Sequence, residues 1–362
     1  MSSDSLAARI ARFIDRCAHG GKDDTTRDTL IAELSQQQAT RVEPYKRYLS
    51  SERRRPQRFG LPALPTDVFR FARVASHPPH MDTRCFRTSG TTGRARGEHP
   101  FCDLSLYDRA ARSAASHALF PEAGRQRLVI LAPSEQEAPD SSLSYMLSRF
   151  VDWFGAENSM YAWRDGELRM GLLTDTLRAA EARREPIALL GTSFAFVHAE
   201  DALGPQRFQL PRGSRIMQTG GFKGRSRTIE PESMLALLHA RYGVPVDHIV
   251  QEYGMTELSS QMYEAVLLDP AHSVERPLWV PGWVRAEPVD PVTLEPVEGE
   301  ATGLLRIDDL ANLGSVCSVQ TSDLAQRCAG GIRLLGRAPG AVARGCSLAI
   351  EEWLDSPTHV SA

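Results

Sequence analysis

From residue 127 onward, short apolar runs of strand length alternate with longer stretches of helical periodicity. RLVILAP is followed by SLSYMLSRFVDWFGA, TDTLRAAEARRE by PIALLGTSF, SRIMQTGG by PESMLALLHARYG, and the series closes with DHIVQEYGMTE. This alternation predicts an α/β fold with a substantially parallel sheet, because a parallel neighbour is reached only through a crossover long enough to hold a helix. Ligands on such sheets bind beyond the carboxyl ends of the strands, so the residues that end each run are the first candidates for a site.

The flanking regions differ from this core. Residues 1–60 form an N-terminal helical segment, with Leu6, Ile10 and Phe13 at helical spacing and a second pattern in TLIAELSQQQA. Residues 61–270 hold the α/β core. Residues 271–362 include PLWVPGWVRAEPVDPVTLEPVEGEATGLLRIDD, whose prolines, alternating apolar residues and acidic turns predict a small β-rich subdomain. The last stretch, QTSDLAQRCAGGIRLLGRAPGAVARGCSLAIEEWL, predicts a strand hairpin followed by a helix.

Composition removes several function classes. A formal charge of −3 over 362 residues gives no basic footprint for nucleic acid or an anionic membrane surface. No apolar run is long enough to span a bilayer, and charges interrupt the N-terminus where a signal peptide would be apolar, so a cytoplasmic protein is expected. Six cysteines, at 17, 85, 102, 317, 328 and 346, form no CxxC pair, which argues against a zinc site or a disulfide framework. Of the 42 basic residues only Lys22, Lys46 and Lys223 are lysine, so a lysine inside a motif stands out.

FRTSGTTGRARGEH (86–99) combines hydroxyls, glycines and arginines. Its glycines allow close backbone approach to an anion while Thr88, Ser89, Thr91 and Thr92 offer donors, so phosphate is the first candidate ligand. It is neither a Walker loop nor a dinucleotide fingerprint, since both GxxxxGK[ST] and GxGxxG are absent. Taken alone it is equally a flexible surface loop.

Four stretches occur in order: TSGTTG (88–93), TGGFKG (219–224), EYGMTE (252–257) and TSD…LLGR (321–337). Together they resemble the adenylate-forming ligases, which activate a carboxylic acid with ATP. That chemistry needs charge neutralised on both sides of the α-phosphorus as pyrophosphate leaves. The resemblance implies that Thr88, Ser89, Gly90, Thr91, Thr92 and Gly93 cradle phosphates, with Arg96 as the cation at the loop's end. It places Gly220 and Gly221 at the adenine-binding strand end, Tyr253 and Gly254 against adenine, and Thr256 at the α-phosphate. Glu257 would hold Mg²⁺, Asp323 the ribose hydroxyls, and Arg337 would lie near the ribose. Singly, each has an ordinary alternative as a core aromatic, a helix-start acid, a turn residue or a solvated charge.

Two departures from the wider family point to a subfamily. The phosphate loop ends in Arg94-Ala95-Arg96-Gly97 where most relatives have Pro-Lys-Gly, which keeps charge but changes its geometry. The chain also ends shortly after a hinge-like segment, so the mobile C-terminal domain with its adenylation lysine is expected to be absent. With LPALPTDVFR, TGGFKG and RGCSL, this pattern is similar to the LuxE-type acyl-protein synthetases, in which the acyl group passes from acyl-AMP to the enzyme's own cysteine.

The resemblance makes Cys346 the acyl carrier; a thiolate there would attack the acyl-adenylate, and Arg344 would favour it if the two converge. Cys17, Cys85, Cys102, Cys317 and Cys328 are assigned to structure. Lys223 is the candidate for the missing adenylation lysine, with an exposed loop lysine as the alternative. GTSFAFVH offers Thr192, Ser193, Phe194 and His198 as an acid pocket with polar tips. His198 reads as a core histidine rather than a base, since a carboxylate is already ionised at neutral pH.

The expected function is ATP- and Mg²⁺-dependent activation of a carboxylic acid, with a fatty acid foremost, followed by transfer to Cys346 and delivery to a protein acceptor such as a reductase or carrier protein. A truncated aryl- or acyl-CoA or carrier-protein ligase that transfers directly to an external thiol is the alternative. A non-catalytic nucleotide-binding scaffold is a third reading, which intact Tyr253, Glu257 and Asp323 disfavour.

Overall fold

The computed structural model describes residues 5–50, 60–88, 96–122, 124–220 and 229–338. Three helices open the chain: α1 (Leu6–Cys17), α2 (Asp24–Arg41) and α3 (Glu43–Ser50). Ser5 caps α1 by accepting from the Ala8 amide, and Asp23 caps α2 by accepting from that of Thr26. The buried stripe of α1, Leu6, Ile10, Phe13, Ile14 and Cys17, repeats every three or four residues and so presents one apolar face.

Short β1 (Leu64–Pro65) is followed by the hairpin β2 (Arg84–Arg87) and β3 (Glu98–Phe101), then by α4 (Ser105–Ala118). The alternating core comprises β4 (Arg127–Leu131), α5 (Ser142–Phe154), β5 (Met160–Tyr161), the small hairpin β6 (Trp163–Arg164) and β7 (Glu167–Leu168), and α6 (Met170–Arg183). It continues with β8 (Ile187–Thr192), α7 (Ser193–Leu203), β9 (Arg215–Thr219), α8 (Pro231–Tyr242) and β10 (Ile249–Tyr253). The remaining strands are β11 (Met262–Glu264), β12 (Leu278–Trp279), β13 (Val284–Val289), β14 (Gly303–Asp309), β15 (Ser318–Cys328) and β16 (Gly331–Arg337).

Among the described residues, one sheet runs in the order β13-β14-β15-β16-β12-β11-β10-β9-β8-β4-β5, with β1 added beside β15. The half from β10 to β5 is parallel and the half from β11 to β13 is antiparallel, so this is the mixed α/β architecture expected from the alternation. The strands expected of a β-rich C-terminal portion join the same sheet as the core.

Two hydrophobic layers cover the sheet. Leu128, Ile130, Leu190, Met217 and Val250 pack with residues of α1 to α5, whereas Val129, Leu131, Leu189, Ile216 and Ile249 pack with those of α6 to α8. Successive strand residues thus serve opposite layers, the period-two geometry of a sheet covered on both faces. The N-terminal helices are tied to the antiparallel half by polar bonds as well. Gln38 donates to the Asn312 carbonyl at 2.8 Å and accepts from the Cys317 amide at 2.8 Å, and Arg285 pairs with Asp28 at 3.2 Å. No helix among the described residues is long and apolar enough to cross a membrane.

Candidate active site

The carboxyl ends of β8, β9 and β10 lie side by side, with Thr192 opposite Thr219 and Thr219 opposite Glu252 in register. The next residue along β10, Tyr253, donates its phenolic proton to Asp323 Oδ2 at 2.8 Å. Asp323 comes from β15 in the antiparallel half, where it pairs across the hairpin with exposed Arg337, Nε to Oδ1 at 3.4 Å. Burial and the Asp323 charge raise the Tyr253 phenol well above its ordinary range, so it remains a donor. Tyrosine, aspartate and arginine from widely separated segments therefore meet beside the end of β10.

The turn after β10 is held from behind. Buried His99 donates from Nδ1 to the Thr256 carbonyl at 2.8 Å, and Asn312 donates to the Glu257 carbonyl at 2.9 Å. Asp309 accepts from the Ser259 amide at 2.9 Å and from the Ser260 hydroxyl at 2.7 Å. Burial lowers the His99 imidazole to about 4, which keeps it neutral and leaves Nδ1 as a fixed donor. No role was expected of these three residues: His99 closes the FRTSGTTGRARGEH stretch, and Asp309 and Asn312 fall in DDLANLGS at the end of β14. A cavity of about 540 Å³ between α1, α2 and α4 is bordered by His99 and Asn312.

The base of the hydroxyl-rich loop is similarly braced. Thr88 and Gly97 exchange two hydrogen bonds, amide to carbonyl at 2.9 Å and amide to hydroxyl at 2.8 Å. Arg96 donates to the Thr88 carbonyl at 2.6 Å and to Asp140 at 2.6 Å. Arg96 thus clamps the loop's two ends together. Ser89, Gly90, Thr91, Thr92 and Gly93 lie outside the described residues, as do Gly221, Lys223 and Cys346.

Four residues were assigned to the acid pocket. Thr192 caps α7, its hydroxyl accepting from the Ala195 amide at 3.1 Å. Ser193 is buried and donates to Gln218 Oε1 at 2.6 Å and toward the Gly220 carbonyl at 2.9 Å, which binds the end of β8 to that of β9. Gly220 itself has φ of +74°, a left-handed turn that glycine adopts without strain. Phe194 is half-buried, and its ring lies parallel to that of His198 at 6.4 Å. His198 is exposed on α7 rather than in the core, because it falls one helical turn beyond Phe194 on the outward side.

Glu252 lies within the EYGMTE stretch but was given no role. Its carboxyl accepts from the Thr219 hydroxyl and lies so close beneath Gly254 that a Cβ there would meet Oε1. Full burial pushes the carboxyl up to about 7 despite the Thr219 donor. Glu257, one residue past Thr256, is also buried, and its carboxylate is a hard oxygen donor. No cluster of three or more metal-ligating side chains occurs among the described residues. One hard oxygen donor fits a Mg²⁺ ion whose other ligands are phosphate and water.

A family model described as acyl-protein synthetase, LuxE, matches residues 18–355. No curated protein sequence matches the chain. Among solved structures, 2-hydroxyisobutyryl-CoA ligase in its postadenylation state with 2-HIB-AMP is similar at a TM-score of 0.63, with 14% identity over 89% of this chain and 70% of that one. ATP-bound MatB from Rhodopseudomonas palustris gives 0.51, with 17% identity over 70% of this chain and 47% of that one. The amide bond synthetase McbA from Marinactinospora thermotolerans gives 0.50, with 18% identity over 74% of this chain and 52% of that one. The chain spans about half the length of the last two. At these identities the likeness concerns the fold, which is that of adenylate-forming ligases. With the family match covering nearly the whole sequence, the chain belongs to the LuxE acyl-protein synthetase family and is an AMP-forming ligase.

Proposed function

We propose that this chain uses ATP to convert a carboxylic acid to an acyl-adenylate and passes the acyl group to the thiol of Cys346, for delivery to an acceptor protein. The observation that carries the reading is the Tyr253–Asp323 pair beside the braced Gly254–Glu257 turn at the carboxyl end of β10. In this reading Tyr253 packs on adenine and Asp323 accepts from the ribose hydroxyls while Arg337 flanks them. Thr256 touches the α-phosphate, and the 88–93 loop holds the phosphates that leave. Glu257 would hold Mg²⁺, which would neutralise charge on the departing pyrophosphate.

The first step forms a bond between a carboxylate oxygen and the α-phosphorus and breaks the bond from that phosphorus to the bridging oxygen, releasing pyrophosphate. The acid is already ionised at neutral pH, so no base is required. Lys223 is our candidate for the cation beside the α-phosphate. In the second step the Cys346 thiolate attacks the acyl carbonyl, the bond to the AMP oxygen breaks, and AMP leaves. A fatty acid is the acid class the family resemblance favours, and a reductase or carrier protein the acceptor.

Direct transfer from acyl-AMP to coenzyme A is the second reading, favoured by the fold shared with 2-hydroxyisobutyryl-CoA ligase, whose structure holds 2-HIB-AMP and CoA. Intact-protein mass spectrometry after incubation with Mg-ATP and a panel of acids separates the two. A hydroxylamine-labile adduct on the wild type and none on Cys346→Ser supports self-acylation. Pyrophosphate release without an adduct favours direct transfer, and absence of pyrophosphate with every acid overturns the acyl-adenylate reading itself.

A further inference from the structure

Thr219 and Glu252 face the same side of the sheet because they are opposite each other in register, and Tyr263 of β11 stands opposite Glu252 in turn. Met217 and Val250, two residues earlier on their strands, belong to the layer under α1 to α5, so the row faces that layer. Four polar groups from neighbouring strands are thus buried in a row: Thr219, Glu252, Tyr263 and Gln261, which precedes β11 by one residue. Gln261 Nε2 donates to the Tyr107 hydroxyl at 3.4 Å, and that hydroxyl donates to the Ser142 carbonyl at 3.3 Å.

Two atoms of this row have no hydrogen-bond partner among the described residues: Gln261 Oε1 and the Tyr263 hydroxyl. One is an acceptor that lacks a donor; the other is a donor that lacks an acceptor. Leaving either unmade on a buried group is destabilising. Adjacent strand residues point to opposite faces, so Tyr253 and Glu252 flank the strand end from opposite sides. If Tyr253 holds the nucleotide, the carboxylate that attacks it approaches the Gly254–Thr256 turn from the Glu252 side.

We propose that the activated acid carries a hydrogen-bonding substituent, a hydroxyl or an amino group, that is recognised by the Thr219–Glu252–Gln261–Tyr263 row. This inference rests on the acyl-adenylate reading and narrows its acid. A hydroxyl has the donor that Gln261 Oε1 lacks and the acceptor that Tyr263 lacks, and an amino group has the donor. An unsubstituted alkyl chain satisfies neither and buries Glu252 against hydrocarbon. A site built to hydrogen-bond a substituent discriminates strongly against the analogue without it.

The test is pyrophosphate release with acids matched in chain length: plain, 2-hydroxy, 3-hydroxy and amino forms, from four to fourteen carbons. The expected result is a kcat/KM at least about tenfold higher for one substituted series than for its plain counterpart. Glu252→Gln should narrow that ratio and Gln261→Leu should abolish it; the wild-type ratio alone decides the matter if either variant fails to fold. Equal rates for plain and substituted acids overturn this inference and leave acyl-adenylate formation standing. No pyrophosphate with any acid overturns both.

Discussion

Asp308 and Glu252 are both fully buried carboxyl groups of one sheet, and their surroundings treat them in opposite ways. Asp308, on β14, sits between Arg285 at 2.8 Å and Arg306 at 3.0 Å. Burial pushes its carboxyl up, but the two guanidinium groups outweigh it and hold Asp308 below its ordinary range. Glu252, at the carboxyl end of β10, has a threonine hydroxyl and, among the described residues, no cation, and rises to about 7. A caged charge ties Arg285 and, through it, Asp28 of α2 to the sheet; an uncaged carboxyl at a strand end is held close to its protonation midpoint. The first arrangement serves cohesion and the second is suited to meeting a ligand.

That contrast is tested most sharply by Asp308→Ala, which leaves Arg285 and Arg306 without their shared carboxylate. The expected loss is about 3–5 kcal/mol, read as a fall in the denaturant midpoint. If Asp308→Ala is no less stable than Glu252→Gln, the distinction between the two carboxyls collapses. Asp323→Ala should show the reverse profile. The exposed Arg337 pair adds little, but the buried Tyr253 hydroxyl loses its acceptor, so the stability change should be about 1–3 kcal/mol, smaller than for Asp308→Ala. Pyrophosphate release should fall about a hundredfold, about 2.7 kcal/mol in the barrier. A large midpoint shift with intact turnover would make Asp323 a structural residue.

Gly254→Ala probes the space beneath the turn. Its new methyl would meet Glu252 Oε1, so a penalty of about 1–2 kcal/mol is expected, together with slower adenylation. The penalty should shrink when Gly254→Ala is combined with Glu252→Ala, because the clash partner is gone; simple additivity would show that the two positions do not interact.

The comparison also explains what the sequence made legible. Strand and helix alternation needs only local pattern, so the sheet, its parallel half and the residues at its strand ends could be read directly. The motif order assigned Tyr253 and Asp323 each to a nucleotide, whereas their direct pairing across 70 residues of separation is a contact that local reasoning does not give. His99, Asn312 and Asp309 were not legible, since each acts by reaching a backbone group of a distant turn. Glu252 was not legible within EYGMTE, because its significance depends on the register that sets Thr219 beside it. Arg96 and Ser193 were selected for their residue types, and their described bonds go to the protein's own loop ends and strand ends. Side-chain chemistry can be read from sequence, whereas the direction in which it is spent follows from packing.

The smallest effect carries the sign of the comparison. Glu252 has its folded-state value raised to about 7 from an ordinary 4.5, so between those values the folded chain holds a proton that the unfolded chain has released. Stability from this group therefore falls as pH rises through that window, by about 1 kcal/mol between pH 6 and 7. Asp308 behaves oppositely. Its depressed value contributes stability above the ordinary aspartate range, which is lost as pH falls through the folded-state value. Glu252→Gln should therefore flatten the decline in denaturant midpoint between pH 6 and 7 and leave the acid limb unchanged. Among the described residues the titrating groups facing Glu252 are Tyr107 and Tyr263, both pushed well above the ordinary tyrosine range by burial, and neither changes charge in that window. A decline that persists unaltered in Glu252→Gln would assign it to another group and remove the opposition between the two carboxyls on which the reading of this strand end depends.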